Sequence, residues 1–149
     1  MKRMKRRLAL AAAAGAAVLA LSACAAGSGT TQAAAAAQQL VVDSGEFVEV
    51  DIAPSTKKNS REIFAWVKVD TAELTAAQLS TVVKALGTAT RETTNCTLVI
   101  VGVVNDAWGT DAFLRPAAAE LGLSQYLTEG DYQLNLGCDV ASQFATTHP

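Results

Sequence analysis

Residues 97–104 read Thr-Leu-Val-Ile-Val-Gly-Val-Val and form the most apolar run downstream of residue 40. The run is short, rich in β-branched side chains and interrupted only by Gly102, a pattern typical of a central strand buried on both faces. Residues 62–69 instead alternate, with small or aliphatic side chains on one side and the aromatic residues Phe64 and Trp66 on the other. Such alternation predicts a second strand with two different faces.

The segment between these two strands carries a complete helix signal. Thr75 and Gln78 fit a capping box. One apolar stripe follows at helical spacing, formed by Leu79, Val82, Val83 and Leu86. Gly87 stands where a helix C-cap favours positive φ. The sequence therefore predicts a helix over residues 75–86, and the strand–helix–strand succession predicts a βαβ unit.

Further elements extend this unit in both directions. Residues 47–52 alternate and predict a strand antiparallel to residues 62–69. Pro116 suits the first turn of a short helix that Gly122 would end. Residues 131–136 alternate again and predict a last strand.

Together these elements predict an α/β or α+β fold, a small single-sheet sandwich with the order β-β-α-β-α-β and one βαβ unit. We assign it to one globular domain at residues 40–140. Residues 24–39 contain no charge and nothing larger than Gln, so we expect a flexible, Ala-rich tether. Residues 141–149 are interpreted as a polar, frayed tail.

The N-terminus carries an export signal. Five of the 12 Lys and Arg residues lie in the first seven positions, and fourteen apolar residues follow at 8–21. This run is shorter than the roughly 20 residues that a spanning helix needs. It leads into Leu21-Ser22-Ala23-Cys24, which resembles the lipobox of bacterial lipoproteins. The resemblance implies a signal peptide at residues 1–23, acylation of Cys24, export, and anchoring at the outer face of the cell membrane or the periplasmic face of an envelope membrane.

Charge sets limits on the partners. Cleavage before Cys24 leaves seven basic residues against all 14 acidic residues, a net charge of −7. This balance argues against nucleic acid as a partner, and an anionic membrane surface would repel the domain, so we expect membrane contact through the acylated Cys24 and the tether. Only Lys57, Lys58 and Arg61 cluster, in a stretch typical of a solvated loop; contact with a polyanion or a lipid headgroup is the alternative.

Two cysteines remain once Cys24 is committed to lipid. Cys96 and Cys138 in an exported domain predict one disulfide, which would join the last strand to the start of the central strand. A reactive thiol is the weaker interpretation, because there is no Cys-x-x-Cys motif and no basic neighbour in sequence to lower a thiol pKa.

The sequence offers little for catalysis. His148 is the single histidine and stands next to the last residue, so Ser-His and Cys-His catalysis lack an oriented base. Metal sites built on His and Cys lack ligands, and the common nucleotide-binding and hydrolase motifs do not occur. We expect no cofactor, no metal and no enzymatic activity.

Polar residues follow the two strands predicted to be parallel. In open α/β sheets this edge is the usual ligand site. The candidate ligand-binding residues there are Asp70, Asn105, Asp106, Trp108 and Asp111. Three carboxylates, an amide and an indole could bind a cation, a sugar or an amine. The favoured interpretation is nevertheless that these are ordinary turn and cap residues; a binding site is the alternative, and carboxylate acid–base catalysis comes third.

Residues 102–111 are similar to the loop of peptidoglycan-binding OmpA-like domains, in which a strand is followed by a Gly, an Asp and another Gly. The resemblance implies cell-wall binding. The spacing differs by one residue, and the Arg expected on the next helix has no equivalent because Arg115 precedes Pro116. No binding residues are therefore carried over.

Trp66 and Phe64 share a strand face. We expect a second layer to bury them; if helices cover only the other face, they form an exposed patch suited to a protein partner. The leading hypothesis is a non-catalytic binding or interaction module of the cell envelope. A ligand- or peptidoglycan-binding domain is the alternative, and a carboxylate-based enzyme comes third.

Overall fold

The computed structural model describes residues 29–93, 95–105, 110–111 and 114–148. Within these residues the chain forms four α-helices, one 3-10 turn (Ser124–Tyr126) and one five-stranded sheet. The helices are α1 (Gly29–Ser44), α2 (Ala76–Thr90), α3 (Arg115–Glu120) and α4 (Cys138–Thr147). The strands are β1 (Glu49–Pro54), β2 (Glu62–Val69), β3 (Leu98–Asn105), β4 (Thr110–Asp111) and β5 (Gln133–Gly137).

The sheet is mixed, and β3 lies at its centre. β2 runs parallel to one side of β3, and β1 pairs antiparallel with the far side of β2. β5 and the short β4 follow one another along the other side of β3, both antiparallel to it. The predicted mixed α/β fold with one βαβ unit is confirmed. The predicted element order is incomplete, because it lacks α1, β4 and α4.

All the large helices pack on one face of the sheet. On β2 the residues that point to this face are almost fully buried, namely Ile63, Ala65, Val67 and Val69. They belong to a single hydrophobic core with the apolar stripes of α1, α2 and α4. The alternation in residues 62–69 thus marks one covered face, as period-two patterns do in half-covered sheets.

The prediction of a flexible tether is wrong for residues 29–39, which form the first part of α1. Ala33, Ala34 and Ala37 are at most 3% exposed and lie in the core together with Val41. Their small side chains bring the helix close to the sheet. Gln38 also accepts a hydrogen bond from the Ile52 backbone N–H on the outer edge of β1, at 2.9 Å. Tertiary packing stabilises a segment that is too short and too polar to be helical alone.

The prediction of a frayed tail is wrong for residues 141–147, which belong to α4. Ala141 is fully buried and Phe144 is 6% exposed, and both are part of the core. His148 follows the helix and stacks on Phe144, with ring centroids 4.0 Å apart. The single histidine therefore closes the end of a helix.

The capping box at Thr75 is confirmed, with both reciprocal hydrogen bonds to Gln78 present. The predicted role of Gly87 as a C-cap is wrong, because α2 continues through Thr90. A Cβ added to Gly87 would lie 2.0 Å from the Ala141 carbonyl oxygen. Gly87 therefore allows α4 to cross α2 at very close range, a need that no local pattern reveals. Gly122, by contrast, does end α3 with φ of 70°.

The disulfide between Cys96 and Cys138 is confirmed, with the two Cα atoms 5.8 Å apart. It joins the residue two before β3 to the first residue of α4. The Cys138 backbone N–H also donates to the Thr97 carbonyl at 3.3 Å. Among the described helices, none combines the length and the apolarity that a bilayer-spanning segment requires.

Candidate functional site

The predicted ligand-binding residues gather only in part. β2 and β3 end in register, with Val69 beside Asn105, so Asp70 comes directly after this edge and is exposed. Asp111 in β4 is the backbone partner of Val104, near the end of β3. Asp106 and Trp108 lie outside the described residues. In the described ranges, no group of three or more His, Cys, Asp or Glu side chains could hold a metal ion.

The structure presents a different surface, which we call the open face. It is the side of the sheet opposite the helices. Strand alternation assigns to it Glu49, Asp51, Phe64, Trp66, Lys68, Ile100, Gly102 and Val104. Phe64 and Trp66 are half-buried. The expected second layer over these two side chains is wrong for the part of the chain that the structure describes, since its helices pack on the other side.

Trp66 lies flat across the neighbouring strand. Its backbone partner on β3 is Gly102. A Cβ added to Gly102 would fall 2.2 Å from Cζ3 and 2.4 Å from Cε3 of the Trp66 ring. The six-membered part of the indole therefore occupies the space of a side chain at position 102. In the sequence, Gly102 only interrupts an apolar strand. In the structure, its missing side chain leaves the space that the indole occupies.

An acidic side chain shares the sheet face of this indole. Asp51 on β1 is the direct backbone partner of Trp66, and directly opposite residues of an antiparallel pair project to the same face. Asp51 is exposed. Its carboxylate has no hydrogen bond or ion pair with any other described residue. It is thus a negative charge on the same sheet face as the aromatic ring, with Asp51 on β1 and the ring over β3, and it is available to an incoming group.

The next row of the open face holds an ion pair. Lys68 Nζ lies 2.6 Å from Glu49 Oε2, and both side chains are partly exposed. The hydrogen bond from Lys68 and its positive charge hold the pKa of Glu49 below the ordinary value for Glu. Glu49 therefore stays ionised to lower pH, and Lys68 is already engaged. The charge that remains uncompensated in these two rows is that of Asp51.

A shallow depression of about 160 Å³ opens between these side chains. It is lined by Glu49, Asp51, Trp66, Val67, Lys68 and Val104. A larger depression of about 350 Å³ lies between α1 and the end of α2; small residues line it together with Gln32, Glu92 and Asn95, but no aromatic ring of the described residues does. We favour the smaller one because it combines an aromatic ring with an unpaired carboxylate. An organic cation is the group that both attract.

The alternation of residues 47–52 puts Glu49 and Asp51 on the same side of their strand, but by itself it does not connect them with Trp66. The signal was present, since antiparallel pairing of two alternating strands puts Asp51 beside an aromatic residue of the next strand. The precise register, which the connecting loop does not reveal, was needed to use it.

Comparison with known proteins assigns no family to the chain. No protein-family model, curated protein or solved structure matches it.

Proposed function

We propose that this chain is a lipid-anchored, non-catalytic binding module of the bacterial cell envelope. Its open face binds a positively charged segment of a partner protein. The observation that carries the proposal is that the Trp66 indole, which rests on Gly102, and the unpaired carboxylate of Asp51 lie on one sheet face and line one depression.

Anchoring rests on the sequence. The apolar run at residues 8–21 and the lipobox-like Leu21-Ser22-Ala23-Cys24 support acylation of Cys24 and export. Lipoproteins of this type carry two or three acyl chains, and two chains are enough for stable membrane attachment, whereas one gives only reversible binding. The disulfide between Cys96 and Cys138 agrees with an oxidising compartment.

Binding of a cation follows from the chemistry of the open face. A guanidinium or ammonium over the face of a Trp gains about 0.5–2 kcal/mol, and a charge-assisted hydrogen bond to a carboxylate such as Asp51 contributes about 1.5–3 kcal/mol. The mature chain carries a net charge of −7, which favours approach of a basic partner. Arg suits this arrangement better than Lys, because its planar group both stacks and donates two parallel hydrogen bonds.

The shape of the surface favours a macromolecular partner over a small ligand. Small-molecule sites generally enclose about 300–1,000 Å³ and bury most of the ligand. The depression beside Trp66 measures only about 160 Å³. This volume suits one inserted side chain, while the half-buried Phe64 on the next row of the sheet extends the contact surface.

Anchoring is tested by replacing Cys24 with Ala in the full chain. Mass spectrometry of the wild-type protein should show an acylated N-terminal Cys24 in the membrane fraction. The Cys24→Ala chain should lack the acyl mass. It should also no longer be found as a cleaved protein in the membrane fraction. A wild-type protein without acyl chains would refute the anchor.

Binding is tested by a photo-cross-linking residue at Phe64, with the same residue at Gln143 on α4 as the control. Cross-linking in intact cells should yield a protein adduct from position 64 only, and the linked peptides should contain Arg or Lys next to the cross-link. Asp51→Asn should weaken this adduct about tenfold. Asp43→Asn, which removes an exposed carboxylate from α1, should not. Glycan adducts in place of protein would favour the cell-wall alternative, and equal adducts from positions 64 and 143 would refute the open face as the site.

A further inference from the structure

The chain between the acylation site and the folded domain is short. Only residues 25–28 separate Cys24 from the start of α1 at Gly29. We infer that the domain docks on an anionic membrane surface through one basic end, formed by Lys57, Lys58, Arg61 and Arg91. This inference rests on the proposed acylation of Cys24 and adds an orientation to it.

The start of α1 lies at a defined end of the sheet. A Cβ added to Gly29 would lie 3.0 Å from Cγ2 of Thr93, just after α2. Thr31 and Ala34 in the first turns of α1 line a common depression with Pro54, the last residue of β1. The anchored chain therefore enters the domain where α2 and β1 end and where β2 and β3 begin.

The basic residues lie at this same end. The loop that holds Lys57 and Lys58 joins the end of β1 to the start of β2. Arg61 immediately precedes β2, and its carbonyl accepts a hydrogen bond from the Thr97 backbone N–H just before β3, at 2.9 Å. Arg91 immediately follows α2 and donates to Thr146 at the end of α4, at 3.2 Å. Four of the seven basic residues downstream of Cys24 thus surround the point of chain entry.

The loop presents its cations outward. Ser60 N–H donates to the Lys57 carbonyl at 3.0 Å and closes a tight turn, in which Asn59 adopts φ of 64°. Lys57, Lys58 and Arg61 are exposed. Their side chains form no hydrogen bond or ion pair with the other described residues. Three cations are therefore available to an external anion.

Acidic residues concentrate at the opposite end. Those placed there by the strand ends, the end of α1 and the start of α2 are Asp43, Glu46, Glu49, Asp70, Glu73 and Asp131. At the basic end, by contrast, the acidic residues are Glu62, Glu92 and Asp139. Glu49 and Asp131 form ion pairs with Lys68 and Arg115. The other four acidic residues of that end, Asp43, Glu46, Asp70 and Glu73, form no ion pair with a described residue. At the end where the chain enters, four basic residues outnumber three acidic ones, so the two ends differ in the sign of their charge.

The short chain between Cys24 and α1 keeps the basic end near the membrane. Five Cα steps from Cys24 to Gly29 reach at most about 18 Å. A tether through residue 39 would have reached about 50 Å, several Debye lengths of about 8 Å. Because α1 belongs to the domain, the point of chain entry stays within about two Debye lengths of the membrane surface, whereas the longer tether would allow about six. The expected repulsion by the membrane applies to the acidic end only.

The test uses the full acylated protein in vesicles made with or without phosphatidylglycerol. A photo-cross-linking residue replaces Thr56 at the basic end or Ala72 at the acidic end, after mass spectrometry has confirmed the acyl chains. We expect lipid adducts from position 56 and few from position 72, with the adducts increased by phosphatidylglycerol and reduced by salt. Each basic residue near the surface should raise the ratio of docked to undocked protein roughly fivefold.

Two variants with the same change in charge separate position from net charge. The double substitution Lys57→Gln and Lys58→Gln should lower the ratio of docked to undocked protein, measured by lipid adducts at position 56, roughly 10- to 30-fold. Lys84→Gln with Arg115→Gln, away from the basic end, should leave it unchanged. Equal losses in both variants, or equal adducts at positions 56 and 72 in acylated protein, would overturn docking while the anchor stands. Protein that carries no acyl chain would instead overturn the proposed function.

Discussion

The Trp66 ring fills the space in which a side chain at Gly102 would lie, with Cζ3 2.2 Å from the position of an added Cβ. The two residues are neighbours only because β2 and β3 pair in parallel. A large aromatic residue can therefore lie over β3 on the sheet face opposite the described helices. This arrangement holds the indole over β3, on the same sheet face as the carboxylate of Asp51 on β1.

Replacing Gly102 with Ala should displace the indole. Because the ring lies on the open face, it can swing aside, so we expect the free energy of unfolding to fall by only about 1 kcal/mol. The fluorescence of Trp66, measured with Trp108→Phe to remove the other indole, should shift to the red as the ring enters water. In a Trp66→Ala background the same Gly102→Ala substitution should cost almost nothing. Additive effects of the two substitutions would contradict the contact.

Replacing Gly87 with Ala should destabilise the protein although Ala is the better helix former. The added Cβ would meet the backbone of α4 at Ala141, which cannot move aside cheaply. We expect urea unfolding to show a loss of about 1–3 kcal/mol. Thr88→Ala, at the next and exposed position of α2, should change the free energy of unfolding by less than about 0.5 kcal/mol. A Gly87→Ala protein more stable than the wild type would show that α2 and α4 do not cross so closely.

The two faces of α1 provide a matched pair of substitutions. Ala37 is fully buried in the core, whereas Ala36 is exposed. Ala37→Glu should lower the free energy of unfolding by about 3 kcal/mol or more, since it buries an unpaired charge. Ala36→Glu should change it by less than about 0.5 kcal/mol. Equal, small effects of both substitutions in urea unfolding would mean that this segment is the tether that its composition suggests.

The disulfide should contribute strongly to stability. Closing a loop between residues 42 positions apart stabilises a fold by about 4 kcal/mol in the chain-entropy model. We expect Cys96→Ala with Cys138→Ala to lower the free energy of unfolding by about 2–5 kcal/mol. A reducing agent should cause the same loss in the wild type and none in the double variant. Two alkylatable thiols in non-reduced, denatured wild-type protein would contradict the bridge.

Local signals predicted the centre of the fold well. The bounds of β2 and the capping box of α2 followed from strand alternation and from the Thr75–Gln78 pair, because both patterns depend on residues close in sequence. The disulfide followed from counting the cysteines. Such features need no knowledge of which elements meet.

Features that depend on distant contacts were missed. α1 resembles a linker in composition, since Ala carries little hydrophobic signal, and only packing against the sheet shows that Ala37 is a core residue. α4 begins directly after β5, and its N-cap Gly137 provides no side-chain cap. Only part of the site could be predicted from the sequence. Trp66 was recognised as a candidate, but Asp51 becomes its neighbour only through the register of β1.

The most direct test of the account compares the open face in purified protein and in intact cells by hydroxyl-radical oxidation. Leu40, 47% exposed on the outer side of α1, provides the internal reference. We predict that Phe64 and Trp66 are oxidised readily in the purified protein and several-fold less in cells, and that Asp51→Asn restores their oxidation in cells while Leu40 stays the same. Equal oxidation of Phe64 and Trp66 in both settings would show that no partner covers the open face and would contradict the proposed function.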